Sequence, residues 1–139
     1  VSLACNVHTE LARHADLAIE APTGPEVLMG STRLKAGTAT KMILNMLTTG
    51  AMVRTGRVYQ NLMVDLCISN SKLSDRALRI LRHATGVGEE DASRLLKQAG
   101  GSVKTAIVMQ LGGVDADQAR RALEETAGWV GPAIQKLKV

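Results

Sequence analysis

The stretch Gly24–Lys41, GPEVLMGSTRLKAGTATK, concentrates groups able to bind or transform an anionic ligand. Glu26 supplies a carboxylate, Ser31 and Thr32 supply hydroxyls, and Arg33, Lys35 and Lys41 supply positive charge. Gly30-Ser31-Thr32 runs directly into a helical pattern. The free N–H groups at a helix start attract anions, and neighbouring hydroxyls add hydrogen bonds. Lys35 and Lys41 suit a phosphate. Glu26 suits a sugar hydroxyl or a proton-transfer role. A plainer reading makes Ser31 or Thr32 the helix cap and leaves the cations solvated. The segment is not a P-loop, because Ser31 follows Gly30 where that motif needs Lys.

The elements that must position this segment are legible on both sides. Val1–Cys5 reads as a short buried strand of the kind found in parallel sheets. Thr9 caps a short helix reaching about His14, and the alternation over Asp16–Glu20 predicts a second strand. Strand, helix and strand at this spacing make an α/β unit with a parallel sheet. After the Pro22–Gly30 loop, apolar positions spaced by three and four predict a helix from about Arg33 to Arg54, ended by Gly56. In it Met42, Met46 and Met52 are expected to fill gaps in the core. Val58–Ile68 is ambiguous and reads as helical, since no turn signal splits it. Leu73–His83 is a clear amphipathic helix.

The last third repeats itself. Thr85–Ile107 (TGVGEEDASRLLKQAGGSVKTAI) and Gly112–Ile134 (GGVDADQARRALEETAGWVGPAI) align at an offset of 27 residues. Each unit reads as a Gly-Val turn, an acidic first turn, a helix, a glycine and a second short helix. Asp115 and Gln118 form a capping-box pattern. Two such hairpins, each too small to bury its own apolar face, should stack on one another. The boundary between the α/β part, 1–70, and the helical part, 71–139, is placed near residue 70.

Composition narrows the classes. At 45% apolar and 22% charged residues the 139-residue chain is ordinary for a globular protein. No apolar run approaches the roughly 20 residues of a membrane helix, and no signal segment opens the chain. Cys5 and Cys67 lack C-x-x-C spacing and read as reduced thiols, with no metal site. A net charge of +4 fits an anionic ligand better than nucleic acid. The basic stripe Lys72, Arg76, Arg79 and Arg82 has no aromatic beside it for base stacking and reads as a solvated face or dimer rim. His8, His14 and His83 read as surface or structural residues. One strand pair cannot close a parallel sheet, so the chain is expected to be part of a longer protein and to self-associate when isolated.

The segment GPEVLMGSTRLKAGTATK resembles the signature shared by the N-acetylmuramic acid 6-phosphate etherases and the animal glucokinase regulatory protein. LNMLTTGAMVRTGRVYQNLMVDL and the later ATGV–EE–A–LL–AGG–VK–AI pattern resemble the bacterial etherases in particular. Met29 departs from the small or hydroxyl residue common there. The resemblance implies a sugar isomerase (SIS) fold: the C-terminal remnant of a parallel sheet flanked by helices, followed by an all-helical region with two hairpin repeats. It implies a cytoplasmic, homodimeric, cofactor-free lyase of cell-wall recycling. That enzyme eliminates the D-lactyl ether of N-acetylmuramic acid 6-phosphate and adds water. The catalytic acid and base are then expected before residue 1, and Glu26, Ser31, Thr32, Arg33 and Lys35 near the sugar phosphate. Two other readings compete. One is a non-catalytic sugar-phosphate sensor like the glucokinase regulatory protein. The other is a protein-interaction module built on the hairpins 85–107 and 112–134, which resemble ubiquitin-associated domains.

Overall fold

A parallel strand pair needs a crossover, and the chain supplies it within its first twenty residues. In the computed structural model, which describes residues 1–138, β1 (Ser2–Ala4) and β2 (Ala18–Glu20) pair in parallel through α1 (Glu10–Arg13). The register sets Ser2 against Ala18, Leu3 against Ile19 and Ala4 against Glu20. As the sequence predicts, Thr9 caps α1, its Oγ accepting the Ala12 N–H at 3.3 Å. The long helix α2 spans Lys35–Arg54. It buries no residue, and Met42, Met46 and Met52 stand 59, 62 and 45% exposed. They do not fill a core. Leu44 and Leu47 are exposed with them.

The chain divides into compact units at 1–50 and 51–139. The second begins some twenty residues ahead of the boundary placed near residue 70 and takes in Val58–Ile68. That segment is also not helical. It forms the antiparallel pair β3 (Val58–Tyr59) and β4 (Leu62–Met63), turned by Gln60 and Asn61. Gln60 adopts φ 54°, a left-handed turn conformation that its residue type does not advertise. Val64 follows, 2% exposed in the core, and Tyr59, Leu62, Leu66 and Ile68 are partly buried against that same core.

Five helices complete this unit: α3 (Ser71–Thr85), α4 (Glu89–Gln98), α5 (Val103–Gly112), α6 (Ala116–Glu125) and α7 (Val130–Leu137). Asn70 caps α3 by accepting the Leu73 N–H, and Gly86 ends it in the left-handed region. The internal repeat becomes two helical hairpins, α4–α5 and α6–α7. Their equivalent positions are buried in pairs: Ala92 and Ala119, Leu96 and Leu123, Val103 and Val130, Ala106 and Ala133, Ile107 and Ile134. α5 is buried nearly all round, through Val103, Thr105, Ala106, Ile107, Val108 and Met109, and packs against α3, α4, α6 and α7. The capping box at the start of α6 forms as its spacing predicts: Asp115 accepts from the Gln118 N–H and Gln118 accepts from the Asp115 N–H.

The repeats differ where Trp129 replaces Ser102. Ser102 caps α5 by accepting the Thr105 N–H, while Trp129 offers no such bond to α7. Its indole packs instead beneath Gly56, whose Cβ position lies 3.3 Å from Trp129 Cδ1. Nearby, the Asp65 carboxylate takes Arg57 at 2.7 Å and Lys104 at 3.4 Å, fastening the segment after β4 to α5. No helix among the described residues is long and apolar enough to cross a membrane.

Candidate functional site

The loops after β1 and β2 leave the carboxyl ends of parallel strands, the edge where open α/β sheets receive ligands. Each loop is fastened by a carboxylate. Glu20, the last residue of β2, accepts from the His8 N–H, the Thr9 N–H and the Thr9 hydroxyl, all at 2.9 Å. The Thr9 and His8 backbone bonds, in that order, hold its carboxyl below the ordinary glutamate value. Glu26 does the same for the longer loop between β2 and α2. Its two oxygens accept from the Lys35 and Ala36 N–H groups, each at 3.0 Å. The Ala36 bond first, then the Lys35 bond, then the Lys35 charge favour its ionised form.

Between these anchors the loop turns tightly. Ser31 N–H donates to Leu28 O at 3.0 Å, Leu34 N–H to Ser31 O at 3.2 Å, and Gly37 N–H to Thr32 O at 2.8 Å. Gly30 sits at φ 80°. The Cys5 thiol lies 3.4 Å from both Ala36 O and the Thr40 hydroxyl, joining the end of β1 to the first turn of α2.

Thus the structure places all five predicted residues, Glu26, Ser31, Thr32, Arg33 and Lys35, in one loop and helix start. Arg33 and Lys35 line a shallow depression of about 560 Å³ with Leu34, Thr38, Ala39 and Met42. Glu26, Ser31 and Thr32 lie outside it. The helix cap expected of Ser31 or Thr32 is supplied by Glu26, nine residues ahead of Lys35. Local capping signals act over two or three residues, so a cap reaching this far leaves no spacing to read. Among the described residues the Ser31 and Thr32 side chains make no hydrogen bond, and Arg33 and Lys35 make no ion pair. Val27 and Met29, 96 and 97% exposed, bring apolar surface to the loop tip beside them.

Elsewhere, Lys72, Arg76, Arg79 and His83 line a second shallow depression with Leu62 and Ile80. His8 and His14 are exposed. Among the described residues no three His, Cys, Asp or Glu side chains converge as a metal site would require.

Comparison with known proteins gives these features a setting. Residues 60–102, covering β4, α3 and α4, match the family model for the C-terminal lid domain of glucokinase regulatory protein. N-acetylmuramic acid 6-phosphate etherases of Salmonella paratyphi B, Salmonella schwarzengrund and Salmonella agona are each 53% identical over 135 residues. The match covers 97% of this chain and 46% of each relative. Nearly its whole length is therefore similar to N-acetylmuramic acid 6-phosphate etherases, and the chain spans about half the length of those relatives.

Proposed function

We propose that the whole protein is an N-acetylmuramic acid 6-phosphate etherase, a carbon–oxygen lyase acting without a cofactor. The observation that carries this reading is the 53% identity over 97% of the chain to proteins of that name. In the proposed reaction the sugar ring opens to its free aldehyde, which acidifies the C2 proton, and a base takes that proton. The C3–oxygen bond then breaks and an acid protonates the departing lactate oxygen. Water adds across the resulting double bond, giving N-acetylglucosamine 6-phosphate and D-lactate. The acid and base are assigned to the half of the relatives that this chain does not span. Ser31, Thr32, Arg33 and Lys35 are assigned to the neighbourhood of the sugar phosphate. Among the described residues the two hydroxyls make no hydrogen bond and the two cations no ion pair, which supports that assignment. A cytoplasmic homodimer engaged in amino-sugar recycling completes the reading, with neither nucleic acid nor membrane as a partner.

The test is D-lactate release from N-acetylmuramic acid 6-phosphate, measured on the whole protein and on this 139-residue chain in parallel. Lactate from the whole protein alone is the expected outcome. A second reading, a non-catalytic sugar-phosphate sensor, draws on the lid-domain match over residues 60–102. Binding of the sugar phosphate by the whole protein without lactate release would select it.

A further inference from the structure

The most chemically suggestive side chain of the loop, Glu26, is committed to backbone. Both its oxygens are engaged, one by the Lys35 N–H and one by the Ala36 N–H, each at 3.0 Å. These amides open α2, where the helix dipole favours negative charge. A ligand phosphate therefore meets a helix start already neutralised by the protein's own carboxylate. The same bonds close a loop whose tip carries Ser31, Thr32 and Arg33. Gly37 N–H to Thr32 O, at 2.8 Å, tightens the closure from the helix side. Glu20 repeats the device in the neighbouring loop, through His8 and Thr9. Taking a proton would weaken Glu26 as an acceptor for the two amides that close its loop, so proton transfer there would work against the closure.

We infer that Glu26 is a positioning residue of the etherase: its carboxylate holds the 26–35 loop against the first turn of α2 so that Ser31, Thr32 and Arg33 face the sugar phosphate, and it carries no proton in the reaction. This rests on the etherase reading for its kinetic part, while the loop closure itself is independent of substrate.

The experiment uses the whole protein and its Glu26→Gln variant. Glutamine keeps the shape and one acceptor but sets an amide N–H against a backbone N–H. Two quantities are read: lactate release across pH, and hydrogen exchange of the Lys35 and Ala36 amides. The expected result is faster exchange at both amides, a KM raised by about tenfold, and kcat within about threefold with an unchanged pH profile. A fall in kcat of about a hundredfold or more, with one limb of the pH profile lost, would make Glu26 a proton carrier and overturn the inference. Unchanged exchange, or faster exchange with unchanged KM, would overturn it equally. Should the variant fail to fold, the unmodified protein answers, because the Lys35 and Ala36 amide resonances must then titrate with the Glu26 carboxyl. Amides indifferent to that titration refute the clamp. A whole protein that releases no lactate refutes the functional reading instead, and leaves the exchange data to judge the loop.

Discussion

Gly56 and Gly86 both adopt left-handed backbone, at φ 68° and 76°, and end consecutive long helices, yet their surroundings differ. A Cβ at Gly56 would lie 3.2 Å from the carbonyl carbon and oxygen of Gly128 and 3.3 Å from Trp129 Cδ1. One at Gly86 would have nothing within 4 Å. Alanine at either site carries the left-handed penalty of about 1–2 kcal/mol. Only at Gly56 does it add overpacking, against backbone that cannot rotate aside, at about 1–3 kcal/mol. Gly56→Ala should therefore destabilise the 51–139 unit by about 1–3 kcal/mol more than Gly86→Ala does. In a unit of this size each kcal/mol corresponds to about 4–8 °C in Tm. The assay is urea and thermal unfolding of the 139-residue chain, followed by the fluorescence of its single tryptophan, Trp129. Equal losses for the two variants would refute the packing of the Gly56 turn onto the α6–α7 connection.

Three further outcomes follow from the same structure. Leu81, fully buried on α3, should cost about 2–5 kcal/mol on substitution by alanine in the same unfolding assay. Asp115→Ala removes the capping box of α6 and should cost about 0.5–2 kcal/mol, most of it recovered by Asp115→Asn or Asp115→Ser. Glu20 and Glu26 each have a carboxyl pKa lowered by folding, below the ordinary value of 4.5. Their contribution to the 1–50 unit is present above pH 4.5 and is lost as pH falls through the lowered values. Protection of the His8, Thr9, Lys35 and Ala36 amides, taken relative to the intrinsic exchange rate at each pH, should fall over that acid range. In the Glu20→Gln, Glu26→Gln double variant this pH-dependent fall should be absent.

Local chemistry made much of this molecule readable in advance. Thr9, Asp115 with Gln118, and Gly56 mark helix ends because caps and left-handed turns depend on residues a few positions apart. The 27-residue repeat predicts two helical hairpins because the buried positions recur with it, down to Ile107 and Ile134. The Gly24–Lys41 segment was recognisable as a candidate site from residue types alone. What lay beyond reading were features held by long-range partners. The Val58–Ile68 segment contains no Gly or Pro at its turn, so only the pairing of Val58 with Met63 and Tyr59 with Leu62 shows that it is a hairpin. The exposed methionines of α2 have the periodicity of core residues, and their exposure depends on what packs against them. Glu26 is the clearest case: its type suits a catalytic or ligand-binding carboxylate, and only the fold shows that its two oxygens accept from backbone amides nine and ten residues away. Sequence determined which groups the loop contains. Tertiary structure decided which of them remain free to meet a ligand, because a hydrogen bond closing so long a loop has no signature in residue spacing.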